Sequence, residues 1–129
     1  MTTVLLDTHA VLWFWWDDPQ LSAAAGAVIR DPQTRKLVSL VTPWEVAIKV
    51  SLNKLDLGGP YPGFFPQHMA RTYFEWLLPT EAHFCRLAVL PFHHRDPFDR
   101  VLAAQALTEG VALVSRDAAF DPYGVTRIW

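Results

Sequence analysis

Cysteine is nearly absent: Cys85 is the one thiol in 129 residues. No internal disulfide can staple this chain, and it cannot supply a cage of thiolates for zinc by itself. That usage fits a reducing cytosol and leaves Cys85 to be expected as a core residue. Excess positive charge is missing too. A net charge of −2 excludes a surface that binds nucleic acid everywhere, though not a local basic rim. The first residues lack a basic stretch, and Asp7 interrupts their apolar run, which argues against a secretory signal. Long apolar runs are also lacking, since Ala10 to Trp16, the longest, falls far short of the ~20 residues that span a bilayer. No repeat, low-complexity tract or linker breaks the chain. A soluble, cytoplasmic protein with no membrane segment is expected, formed as one domain over 1–129, because domains most often run ~100–150 residues.

What is present is an alternation of short apolar runs and helical patterns. Val4 to Leu6 reads as a buried strand, His9 to Trp16 as a helix stopped by Asp17-Asp18-Pro19, and Ala23 to Arg30 as a helix capped by Ser22. Lys36 to Val41 reads as a second strand. Thr42-Pro43-Trp44-Glu45 then has the pattern of an N-cap, a proline at the first helical position and an N3 acid. After the turn-rich Gly58 to Pro66, a helix is expected over Met69 to Trp76, a short strand at Leu77-Leu78, and a Thr80-capped helix to about Val89. Asp96-Pro97-Phe98-Asp99 repeats the cap, proline and N3-acid pattern before a helix that Gly110 ends. Val111 to Ser115 and Val125 to Trp129 read as strands. Such alternation predicts an α/β fold, a three-layer α/β/α arrangement around a mainly parallel sheet.

Four acids stand at the edges of four of these segments: Asp7, Glu45, Asp99 and Asp117. Each alone is explained by capping, since a carboxylate at a helix start accepts backbone N–H bonds. The set points further. Asp7 and Asp117 fall where strands end, and in open parallel sheets ligands bind at the carboxyl ends of strands. Carboxylates gathered there raise one another's pKa unless a divalent cation neutralises them. Magnesium takes hard oxygen donors, so the expected chemistry is Mg2+- or Mn2+-dependent phosphodiester cleavage, with these four acids catalytic and metal-holding.

The segments Leu5-Leu6-Asp7-Thr8-His9, Trp44-Glu45-Val46-Ala47-Ile48-Lys49, His94-Arg95-Asp96-Pro97-Phe98-Asp99-Arg100 and Ser115-Arg116-Asp117 resemble those of PIN-domain nucleases. The likeness runs on to Tyr123-Gly124-Val125 and Ile128-Trp129, and is greatest to the VapC-type toxins of bacterial toxin–antitoxin pairs. It implies a PIN-like fold, magnesium-dependent endoribonuclease activity on RNA, and a cognate antitoxin. The family's acidic quartet carries over to Asp7, Glu45, Asp99 and Asp117. The family pattern places its acid just before the Val101 to Ala106 helical run, which favours Asp99; Asp96 reads first as an N-cap and second as an outer acid. Thr8 and Ser115 are expected to bond site carboxylates or substrate phosphate, or else to satisfy turns. Arg95, Arg100 and Arg116, beside the acids in sequence, are candidates for phosphate contacts, and each alone also reads as surface charge.

Other residues have plainer readings. His93-His94 lacks zinc-ligand spacing and is expected on a loop surface. Phe64-Phe65, Phe74 and Trp76 are expected in the core. Trp13, Phe14, Trp15 and Trp16 point all around one helix, so some are expected to meet another chain, as a homodimer surface, an antitoxin groove or both. Competing functions are a structure-specific DNA nuclease, a small phosphatase, a noncatalytic magnesium-binding receiver-like module, and a structural partner whose acids are all caps. Against a phosphoaspartyl phosphatase, Asp7-Thr8-His9 lacks a second aspartate two residues on.

Overall fold

The computed structural model describes residues 2–129. Strand β1 (Thr2–Leu6) lies at the centre of a five-stranded sheet in the order β3-β2-β1-β4-β5. Its neighbours are β2 (Thr34–Ser39) on one side and β4 (Ala112–Val114) on the other, with β3 (Glu75–Leu77) and β5 (Arg127–Ile128) at the edges. Every pairing is parallel.

Alternation along β1 divides the core into two. Val4 and Leu6 face a layer built on α1 (Thr8–Trp15), α2 (Ala23–Arg30), α3 (Val41–Ser51) and α4 (Phe64–Thr72). Leu5 faces α6 (Pro97–Glu109), beside which packs α5 (Glu81–Ala88). Helices thus cover both faces, as the near-continuous apolar strands require. The expected α/β class and layered sheet are borne out.

Several boundaries differ from the expectation. The α3 helix begins at Val41, directly after the strand, so Thr42 lies inside the helix and its buried hydroxyl has no side-chain capping role. Glu45 is therefore a full turn inside, not an N3 cap acid. The helix expected over Met69 to Trp76 instead runs Phe64–Thr72 and ends at Tyr73 in a left-handed conformation, freeing Glu75–Leu77 for β3. Pro66 is tolerated because it falls in the first helical turn. At the end of α6, Gly110 takes φ 66°, a conformation costly to residues with a Cβ, and its N–H closes on the Ala106 carbonyl.

Cys85, expected in the core, is exposed on α5, which turns His83 inward instead. The aromatic run on α1 is mostly covered by the chain itself. Trp15 is buried against Phe65, His68 and Phe74, Phe14 packs on Phe74, and Trp13 lies against His9 and Trp129. Only Trp16 remains substantially open, because α4 supplies partners that the helical wheel of α1 alone does not reveal. No helix among the described residues is long and apolar enough to cross a membrane.

Candidate active site

The sheet order reverses beside β1: the chain moves to β2 and β3 on one side, and β4 returns on the other. A crevice opens at such a switch point, beyond the carboxyl ends of the two strands. Asp7 follows β1 there, and Ser115 and Asp117 follow β4. Glu45 reaches the same cleft from α3 and Asp99 from the first turn of α6. The cleft, about 330 Å³, is lined by all four acids together with Thr8, His9, Trp13, Trp16, Lys49, Lys54 and Asp96. A larger hollow of about 750 Å³, lined by Phe14, Ile29, Tyr73 and Phe74, lies at the start of β2 and contains none of these acids.

Short hydroxyl side chains hold the buried carboxylates. Asp7 Oδ1 accepts the Thr8 N–H at 2.7 Å, capping α1, while Oδ2 accepts from Ser115 Oγ at 2.7 Å. Ser115 in turn accepts the Asp117 N–H at 3.0 Å, so its hydroxyl ties the end of β1, through the Asp7 carboxylate, to the segment that follows β4. Thr8 Oγ1 donates to Glu45 Oε1 and Lys49 Nζ to Oε2, each at 2.7 Å. The Glu45–Lys49 pair is one helical turn apart, a spacing legible in sequence. Capping and clustering coexist: Asp117 also accepts the Ala119 N–H, and Asp96 accepts from Phe98 and Asp99 N–H groups, fulfilling its N-cap role.

Asp99 carries the electrostatic signature. Burial, then the negative charges of Asp7, Asp96, Glu45 and Asp117, push its pKa up to about 8. Asp7 is raised as well, chiefly by burial, with His9 and the Ser115 and Thr8 hydrogen bonds opposing. Asp117 moves the other way. Burial disfavours its charge, but hydrogen bonds from Ala119 and His94 and the nearby His94 and His9 outweigh it and lower its pKa.

His94 was missed by sequence reasoning. It is no mere surface-loop residue: its Nε2 lies 3.0 Å from Asp99 Oδ2 and 3.2 Å from Asp117 Oδ2. Its Nδ1 accepts the Asp96 N–H at 3.1 Å, which leaves Nε2 as the ring nitrogen that donates to the acids. The available signal was position, two residues before the N-cap acid, rather than a zinc-type spacing. Adjacent His93 points elsewhere, against Tyr123.

Arg100 requires correction. The structure turns it inward: its guanidinium is buried and donates to the Leu90 and Pro91 carbonyls and to Tyr123 Oη. With its donors spent on the loop that carries His94, it is not available to a substrate phosphate. Arg95 and Arg116 are exposed, with the Arg116 guanidinium 5.9 Å from the Trp13 ring.

The donor set fits a hard divalent cation. Ligand atoms of His94, Asp99 and Asp117 lie within 4.8 Å of one another, and the carboxylate oxygens are the donors such ions prefer. An acid whose pKa is pushed up to about 8 by burial, and then by neighbouring acids, is a group that a bound cation would relieve.

The family model of the PIN domain matches residues 4–125. The chain belongs to the PIN-domain family. This PIN domain is 27% identical over 117 residues to ribonuclease VapC22 of Mycobacterium tuberculosis, a match covering 91% of this chain and 88% of that protein. Its fold is similar to VapBC-1 from nontypeable Haemophilus influenzae, with TM-score 0.64, 16% identity, and coverage of 98% of this chain and 96% of that one. It is also similar to VapBC2 from Rickettsia felis, solved bound to a promoter DNA fragment, with TM-score 0.61, 12% identity, and coverage of 98% and 97%. The expected likeness to PIN domains of the VapC type is borne out.

Proposed function

We propose that this PIN domain is a Mg2+- or Mn2+-dependent endoribonuclease, acting in the cytoplasm as the toxin of a toxin–antitoxin pair. The observation that carries the reading is the convergence of Asp7, Glu45, Asp99 and Asp117 from four separate elements at the switch point of the sheet. The likeness to a ribonuclease of the VapC type supports RNA as the substrate.

Asp7, Asp99 and Asp117 would hold the cation. When bound, it supplies Lewis-acid polarisation of a phosphodiester and acidification of water. Glu45, fixed by Thr8 and Lys49, completes the set or orients the attacking water. Ser115 aims Asp7, and His94 aims Asp99 and Asp117 through its Nε2 hydrogen. Arg116, exposed and 5.9 Å from the ring of cleft-lining Trp13, would meet substrate phosphate, and Asp96 positions the start of α6.

The similarity to VapBC complexes supports a cognate antitoxin as partner. Homodimer formation belongs to the same proposal. Trp44, Ile48 and Leu52, exposed at successive turns of α3, give it an apolar face of the right kind.

The test is cleavage of a mixed single-stranded RNA pool by the purified protein, with product ends mapped and sedimentation run on the same preparation. Wild type is expected to turn over repeatedly with Mg2+ or Mn2+ and to stop in chelator. Asp99→Asn is expected to lose more than the roughly 10–100-fold that removing a supporting residue costs a metal site. Cleavage of DNA but not RNA would transfer the reading to a DNA nuclease, and a single stable phosphoryl group per chain without turnover would indicate a receiver-like module.

A further inference from the structure

One wall of the acidic cleft is aromatic. His9, Trp13 and Trp16 all line it, and their spacing of four and three residues places them in one row along α1. Asp7 caps that helix, so the row begins beside a site carboxylate and extends over roughly 10 Å at 1.5 Å per residue. Its rings are not the core rings of the helix: Trp15, on the other side, is the one buried against Phe65 and Phe74. Trp13 is half-buried, with the ring centroids of His9 and Trp129 at 4.9 Å and 5.9 Å and both rings tilted against it, while Trp16 is 36% exposed. Cations flank the row. Lys54 lines the same cleft, and the Arg116 guanidinium lies 5.9 Å from the Trp13 ring.

We propose that the His9–Trp13–Trp16 row is a base-stacking subsite that seats an unpaired nucleobase of single-stranded RNA next to the bond being cut, with Lys54 and Arg116 receiving the flanking phosphates. The inference rests on the ribonuclease reading above and deepens it. Aromatic faces accept any base, and alternation of rings with cations is the pattern by which proteins grip single strands. A base in a paired helix does not offer both faces. The subsite therefore selects unpaired nucleotides without needing a hydrogen-bonded code. Its position on the carboxylate wall, rather than on a remote surface, ties stacking to cleavage.

The experiment uses a short RNA recovered by end mapping from the mixed pool, remade with a single abasic ribose at each position around the cut. Wild type is expected to lose about 5- to 100-fold in kcat/KM at one position adjacent to the cleaved bond, the equivalent of one base stack. Trp16→Ala, at an exposed site, and Trp13→Ala are expected to lose a similar factor on intact RNA, mainly in KM. They are also expected to become indifferent to the abasic substitution. Trp13→Phe, which keeps an aromatic face, is expected to recover most of the loss, and unchanged thermal melting of Trp16→Ala separates stacking from folding. Variants that cut intact RNA like wild type, or whose losses simply add to that of the abasic site, overturn the subsite while leaving the nuclease intact. Such an outcome would assign the row to a protein partner instead. Wild type that cuts no RNA at all overturns both readings.

Discussion

Asp99 shows how a single side chain can set the conditions of a site. Its carboxyl holds a proton up to about pH 8 because burial and neighbouring carboxylates disfavour its charge, whereas the ordinary value is 3.8. The folded group thus binds its proton more tightly than the unfolded one. Its contribution to cation-free stability is fully present below about pH 4 and is lost as pH rises through about 8. In chelator, Asp99→Asn is expected to be more stable than wild type at pH 8 by on the order of a few kcal/mol, the difference shrinking towards pH 4. Urea unfolding at several pH values measures this. A difference that does not vary with pH would contradict it. At this scale the sequence revealed which acids stand at element ends, and capping was a sound reading for Asp7, Asp96 and Asp117. It could not reveal side-chain direction. Arg100 stands next to Asp99 in the chain, yet the first turn of α6 sends one into the cleft and the other into the loop behind it.

The loop Pro91–Arg95 and the 3-10 helix Ala118–Tyr123 act together as a strap that delivers His94. Tyr123 Oη lies 3.2 Å from the His93 N–H, 2.7 Å from the His94 N–H and 3.2 Å from Arg100 Nη1. Arg100 anchors the start of the loop through the Leu90 and Pro91 carbonyls and stacks 4.0 Å over Phe92. Removing one buried acceptor strands its donors, so Tyr123→Phe is expected to cost about 1–3 kcal/mol in chemical unfolding. Unchanged stability would show that the strap does not depend on that oxygen. The strap was not legible in sequence, because its bonds join a loop to a residue almost thirty positions away. Local patterns fared better. Ser22, Asp96-Pro97 and Gly110 mark helix ends as read, since caps and left-handed glycines act within a few residues. Thr42-Pro43-Trp44-Glu45 has the same local pattern but failed, because the chain turns from β2 into α3 before it. That failure removes capping as an explanation for Glu45 and leaves it as a buried acid bonded by Thr8 and Lys49.

For the whole molecule, the parallel sheet is what makes four distant acids one group. Placing β1 between β2 and β4 brings the ends of two strands together, and helices α3 and α6 close over them from opposite layers. The alternation of runs in the sequence was enough to predict the class, but not the strand order that creates the crevice. The account stands on that crevice holding a divalent cation among Asp7, Asp99 and Asp117. The most direct measurement is anomalous scattering from crystals soaked in Mn2+. A peak roughly 2.1 Å from oxygens of at least two of these carboxylates, and lost in Asp99→Asn, is the predicted result. An unoccupied cleft in well-ordered wild-type crystals soaked at millimolar Mn2+ would contradict it.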